Sequence, residues 1–130
     1  DFNSDDVLAG VDFQQRYEEL AYEAGGSNYC APAQLVGDFL KGRSSKGPME
    51  VKPSYPRGVK WGKVSDCLPD FAVNAIKEAL VIFGRKLRGF DDKQAVLTGV
   101  ETRSSAPVRV KRNDKYEKGK YVQKIFERSV

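Results

Sequence analysis

Glu101-Thr102-Arg103-Ser104-Ser105-Ala106-Pro107-Val108-Arg109-Val110 sets one carboxylate, two guanidiniums, three hydroxyls and a proline between two β-like runs, residues 95–100 and 108–110. The polar groups are too dense for an ordinary buried strand. The flanks are too apolar for an ordinary loop. Donors and acceptors held at the end of a strand usually hold something else in turn. Alternation along a strand puts Glu101 and Arg103 on one face, where they can be neighbours. The planar guanidinium fork suits a carboxylate or a phosphate. Two readings follow. Glu101, Arg103 and Arg109 form a salt-bridge lattice that only fixes the strand ends, or the arginines recognise an anionic group while Glu101 orients them. In the second case Thr102, Ser104 and Ser105 add hydroxyl donors. Gln34 is a further candidate, because its amide both donates and accepts; it binds a ligand or caps a loop. Tyr55 can stack, donate its hydroxyl or pin a loop to the core. Lys46 and Lys52 read as solvated.

Other chemistries are excluded by what is missing. The chain has no histidine, which removes Ser-His-Asp and Cys-His catalysis and the commonest metal ligand. No metal site is expected. Cys30 and Cys67 are too far apart for a C-x-x-C redox or zinc motif, so two reduced thiols of a cytoplasmic protein are expected. No apolar run approaches the roughly 18 residues that span a bilayer, so no membrane partner is expected. The net charge of +4 is unevenly spread: residues 1–30 carry seven acids and one base, and the other 100 residues therefore carry +10. A basic face of that kind can meet nucleic acid or a dinucleotide phosphate.

The elements that must position these residues are legible from periodicity. Asp12 with Gln15 in capping-box position opens a helix over 12–24, in which Phe13, Tyr17, Leu20, Ala21 and Ala24 form an apolar stripe. Gly25-Gly26 ends it. Pro32 suits the first turn of a second, short helix carrying Leu35, Val36, Phe39 and Leu40; an irregular segment is the alternative. Residues 42–65, rich in Gly, Pro, Ser and Lys, read as a long loop containing Tyr55 and Trp61. Pro69 opens a helix over 69–88 with Ala72, Ile76, Ala79, Leu80, Phe83 and Leu87 on one side. Residues 95–102 and 107–112 read as strands of one sheet, with Pro107 interrupting or edging it. In the tail, Tyr121, Val122, Ile125 and Phe126 have helical spacing. The expected fold is α+β: two amphipathic helices packed on a small β-sheet, with a long Gly/Pro/Ser-rich loop, in one domain of 130 residues.

Several segments together resemble the large bacterial FAD-dependent dehydrogenases. Their E-T-R-T-S-S-P-V-R-I appears as Glu101–Val110, departing at Ser104 and at Ala106, where the family usually has serine. Their G-G-x-x-Y-x-A-P-x-Q appears as Gly25–Gln34, followed by Asp38-Phe39-Leu40. Pro53-Ser54-Tyr55 matches P-S-Y, and Leu68-Pro69 matches the L-P before a helix. The resemblance covers roughly Leu8 to Arg112. It does not continue: a glycine-rich stretch is expected next, and the chain runs Asn113-Asp114-Lys115-Tyr116-Glu117-Lys118-Gly119-Lys120 instead. The G-x-G-x-x-G fingerprint is also missing. The resemblance implies an excised piece of a flavoprotein: a substrate-side domain that binds substrate and shields the flavin. Its partners are then the rest of the parent chain and a small-molecule substrate. FAD is expected in the full-length parent and none in the isolated chain. Arg103, Arg109 and Gln34 then face substrate or flavin. The competing class is a small basic nucleic-acid-binding or scaffolding module without catalysis, using Tyr116, Lys118, Lys120 and Tyr121. The acidic first helix works against it.

Overall fold

A computed structural model describes residue 6, residues 8–102, and the backbone of residues 108–110 and 126–128. Its elements are α1 (Ala9–Ala24), β1 (Ala31–Leu35), α2 (Val36–Leu40), β2 (Val59–Trp61), a 3-10 turn (Val64–Cys67), α3 (Asp70–Lys86), β3 (Val96–Thr98), β4 (Val108–Val110) and β5 (Phe126–Arg128). The class is α+β. The chain divides into two compact units, residues 17–100 and residues 1–16 with 101–130.

The larger unit is built on β1, the middle strand of a three-stranded sheet ordered β2-β1-β3. β1 runs parallel to β2, with Ala31 opposite Val59, and antiparallel to β3, with Leu35 opposite Val96. All five residues of β1 are buried. That is why its period of two cannot be seen in Ala-Pro-Ala-Gln-Leu, and why it passes for part of a short helix. The expected helix from Pro32 is therefore corrected: residues 31–35 are a strand, and only 36–40 are helical. Pro32 is tolerated because it precedes the β1–β3 ladder, which starts at Ala33. Its carbonyl still accepts the Gly99 N–H at 3.1 Å.

Each long helix buries part of one face against the short elements around this sheet. α3 buries Val73 and Leu80 against Val36 and Phe39 of α2, with Ile76, Leu68, Ala95 and Leu97 packed around them. Burial of Phe39, 1% exposed, contributes about 1.5–3 kcal/mol. α1 buries Ala21 against Val64 and Cys67, joined by Leu20, Ala24, Leu68 and Val100. The α3 stripe ends sooner than its spacing predicts. The core closes at Leu80, so Phe83 and Leu87 are exposed, and Phe83 meets Phe90 edge-on at 5.3 Å. α1 starts one turn before Asp12. The Asp6 carboxylate accepts the Leu8 N–H at 2.9 Å and opens the helix.

Two other expectations change. Residues 42–65 are not all loop: they contain β2 and lead into the 3-10 turn. The strand read at 95–102 is shorter, and the strands read at 95–102 and 107–112 belong to different sheets. β3 pairs with β1, whereas β4 pairs antiparallel with β5, Arg109 opposite Glu127. Phe126, read as helical, is in β5; the other tail residues of that stripe lie outside the described residues.

Candidate functional site

Gln34 is fully buried in the middle strand. Its amide nitrogen donates to the carbonyl of Arg43, and its oxygen accepts the Val64 N–H at 2.8 Å. One side chain thus ties the loop after α2 to the 3-10 turn. Ser45 continues the arrangement. Its hydroxyl accepts the Leu35 N–H at 2.9 Å and donates to Asp38 Oδ2 at 2.8 Å. Asp38 Oδ1 accepts Arg43 Nη2 at 2.8 Å. Backbone bonds complete the fixing: Arg43 N–H to the Asp38 carbonyl at 2.8 Å, and Ser45 N–H to the Gly62 carbonyl at 2.9 Å.

Gln34 and Ser45 are the buried polar residues of the described chain, and both hold this one loop. Burying polar groups is tolerated only when they are bonded, and no described buried side-chain N or O lacks a partner. Asp38 is held below its ordinary value of 3.8, first by the Ser45 hydroxyl. Desolvation opposes that, and the Arg43 guanidinium and Lys41 add to it. An open cleft of about 630 Å³ lies beside the loop, lined by Leu35, Asp38, Arg43, Ser44, Lys46 and Gly47-Pro48.

The turn between α1 and β1 is held differently. Gly25 is pressed against the Cys30 carbonyl with no room for a Cβ. Ser27 and Tyr29 have φ of 56° and 64°, which side-chain-bearing residues rarely adopt. Tyr22 donates its hydroxyl to the Ser27 carbonyl at 2.6 Å. The Tyr29 ring, 65% exposed, lies 5.1 Å from Tyr22 and 5.6 Å from the Arg57 guanidinium. Both cysteines are free. Cys30 donates to the Arg57 carbonyl at 3.2 Å, and Cys67 to the Val64 carbonyl at 3.1 Å. Burial pushes the Cys67 thiol up to about 11, which keeps it protonated and unreactive.

The residues singled out from the sequence do not converge on one described place. Gln34 lies in the polar network, with both amide atoms bonded to backbone. Tyr55 is exposed in the loop between α2 and β2, and its carbonyl accepts the Gly58 N–H at 3.0 Å. Glu101 is exposed and Thr102 half-buried; in that smaller unit Gln14 donates to the Thr102 carbonyl. Arg103, Ser104 and Ser105 lie outside the described residues, as does the side chain of Arg109 in β4. Sequence reasoning missed Arg43 and Ser45 and saw Asp38 only as part of a motif. The available signal was an Asp in a short helix followed by Arg and Ser at five and seven residues. Among the described residues no group of His, Cys, Asp or Glu could hold a metal ion, and no helix is long and apolar enough to cross a membrane.

A family model described as "FAD-dependent protein, C-terminal domain-like" matches residues 1–104. The chain belongs to that family. The match takes in Gln34, the Asp38 network, Tyr55 and Glu101 to Ser104, and stops short of Arg109. An uncharacterised protein of Clostridium beijerinckii is 49% identical over 117 residues, covering 90% of this chain and 22% of its own length. The chain thus spans about a fifth of the relative it matches.

The described part of this C-terminal domain-like chain does not fit a dinucleotide pyrophosphate. Such a site needs a strand leading through a glycine turn into a helix N-terminus. Among the described elements only β1 runs straight into an α-helix, at Leu35-Val36. There, the N–H groups of Val36 and Gly37 already donate to the carbonyls of Ala95 and Lys93, at 2.9 and 3.1 Å, and are not free for a phosphate.

Proposed function

We propose that the chain is the substrate-side domain of an FAD-dependent oxidoreductase of the large bacterial dehydrogenase type, acting in the cytoplasm. The observation that carries this reading is the family match over residues 1–104. Flavin bound by the rest of the parent supplies the redox chemistry. This chain's residues bind and orient the substrate and keep water away. Arg103 and Arg109 engage an anionic group of the substrate or the electron-rich edge of the flavin. Glu101 orients them, and Thr102, Ser104 and Ser105 add hydroxyl donors. Tyr55 covers the substrate from its exposed loop. Gln34 contributes as a positioning residue, through the loop and the 3-10 turn that its amide joins.

The test uses the full-length parent. It is expected to purify with stoichiometric flavin, absorbing at roughly 450 nm. Turnover is then followed with an artificial electron acceptor over a panel of small anionic substrates. Arg103→Lys and Arg109→Lys keep the charge but lose the fork. Each is expected to lower kcat/KM by about tenfold or more, with a melting temperature near that of the wild type. A colourless parent overturns the oxidoreductase reading. Strong loss of stability with unchanged kinetics means that the arginines form a structural lattice instead.

A further inference from the structure

The loop after α2 is fixed more firmly than a connection requires. Two buried polar side chains, one carboxylate and two inter-element backbone bonds converge on residues 43–45. What this holds in place is the wall of the cleft, where two cations, Arg43 and Lys46, stand with Ser44 and one acid, Asp38.

Asp38 offsets one of these charges and leaves the cleft lining with a net positive balance. Both its oxygens are engaged, one by Arg43 Nη2 and one by Ser45 Oγ. Its side chain is 18% exposed, whereas that of Arg43 is 62% exposed. A guanidinium has five N–H donors. Asp38 engages Nη2, and the Arg43 side chain remains largely exposed beside the cleft. A carboxylate that orients an arginine, with each of its own oxygens bonded to a fixed donor, preorganises a site for an anion.

We propose that this cleft is an oxyanion-binding site, in which Arg43 supplies the fork, Lys46 a point charge and Ser44 a hydroxyl. The ligand chemistry is a phosphate or carboxylate group. The site lies within residues 17–100 and does not depend on the flavin reading, so either can fail alone.

The test is a ¹H–¹⁵N NMR titration of the full chain at fixed ionic strength, with sodium chloride as the balancing salt. One arm adds inorganic phosphate and the other succinate. Saturable shifts centred on the amides of Ser44–Gly47 are expected in at least one arm, and the arm identifies the preferred group. Arg43→Gln is expected to weaken binding about tenfold, as one charge-assisted contact predicts. Lys46→Gln is expected to weaken it roughly threefold, as a solvated point charge does. Lys86→Gln, near the end of α3 and away from the cleft, serves as the control. Arg43→Lys retains charge without the fork and is expected to fall between wild type and Arg43→Gln. If Arg43→Gln does not fold, Lys46→Gln and Arg43→Lys still decide. The proposal is overturned if neither anion gives saturable shifts there, or if Lys86→Gln weakens binding as much as Lys46→Gln.

Discussion

The loop at residues 41–48 and the turn at residues 25–30 both leave the same central strand region, and they are stabilised by opposite means. The loop has buried polar side chains at its back: Gln34 and Ser45 are 0% and 3% exposed, and each bonds backbone that would otherwise be orphaned. The turn puts Ser27 and Tyr29 in left-handed backbone and holds them from the surface, by hydrogen bonds between Tyr22 and Ser27 and by exposed aromatic contacts. Buried hydrogen bonds fix a loop in one geometry, because leaving any member unpaired is costly. Left-handed residues raise the energy of a turn, and solvent-facing ring contacts offset that only in part. The first device suits a preorganised surface. The second leaves a turn that tolerates change.

Gln34→Leu should break this contrast most visibly. The substitution keeps most of the volume but strands the Val64 N–H and the Arg43 carbonyl. A loss of about 3 kcal/mol is expected, read as a lower urea midpoint at unchanged slope. A loss below about 1 kcal/mol would mean that the loop holds itself and Gln34 is incidental.

Asp38→Asn should do less, about 1 kcal/mol, because solvent screens the Arg43 side of the pair. Its sign with pH is definite. The Asp38 carboxyl is depressed below 3.8 in the folded chain, so its contribution is present above that pH and is lost as pH falls through the folded value. The wild-type advantage should be constant near neutrality and shrink below pH 3.8. An advantage that persists into stronger acid would show that the hydrogen-bond geometry, and not the charge, is what Asp38 supplies.

Tyr29→Gly should have the smallest effect. Glycine removes the left-handed strain but loses the contacts with Tyr22 and Arg57 and gains unfolded-state freedom. These terms nearly cancel, to within about 0.5 kcal/mol. Urea unfolding of this variant against wild type sharpens the comparison. A loss above about 2 kcal/mol would place Tyr29 among the structural residues and remove the distinction between the two regions.

Much of this architecture was legible before any coordinates. The stripes on α1 and α3 are long enough for a period of 3.6 to show, and Gly25-Gly26 stops α1 where glycine is expected. The α+β class follows from those helices and the β-rich run near residue 96. The central strand was not legible. Pro32 imitates a helix start, and a strand buried on every residue has no alternation to read. The division of the later strands between two sheets was also hidden, since pairing joins residues far apart in sequence. The candidate site was legible in part. Gln34 stood out for its two-sided amide, and its bonds match the loop-capping reading; which backbone groups it caps, Arg43 and Val64, was not legible.

By itself, then, the sequence determined the helix faces, the absence of histidine chemistry, the uneven charge and the family segments from Gly25 to Ser104. These are local or compositional properties, and a linear string carries them directly. The tertiary structure decided that Asp38, Arg43 and Ser45 share one network with Gln34, and that Arg43 and Lys46 border one cleft. Backbone groups of β1, the 3-10 turn and the loop after α2 must be satisfied across gaps of 9 to 30 residues. No periodicity encodes such gaps; only the closed fold brings those donors and acceptors within hydrogen-bonding distance.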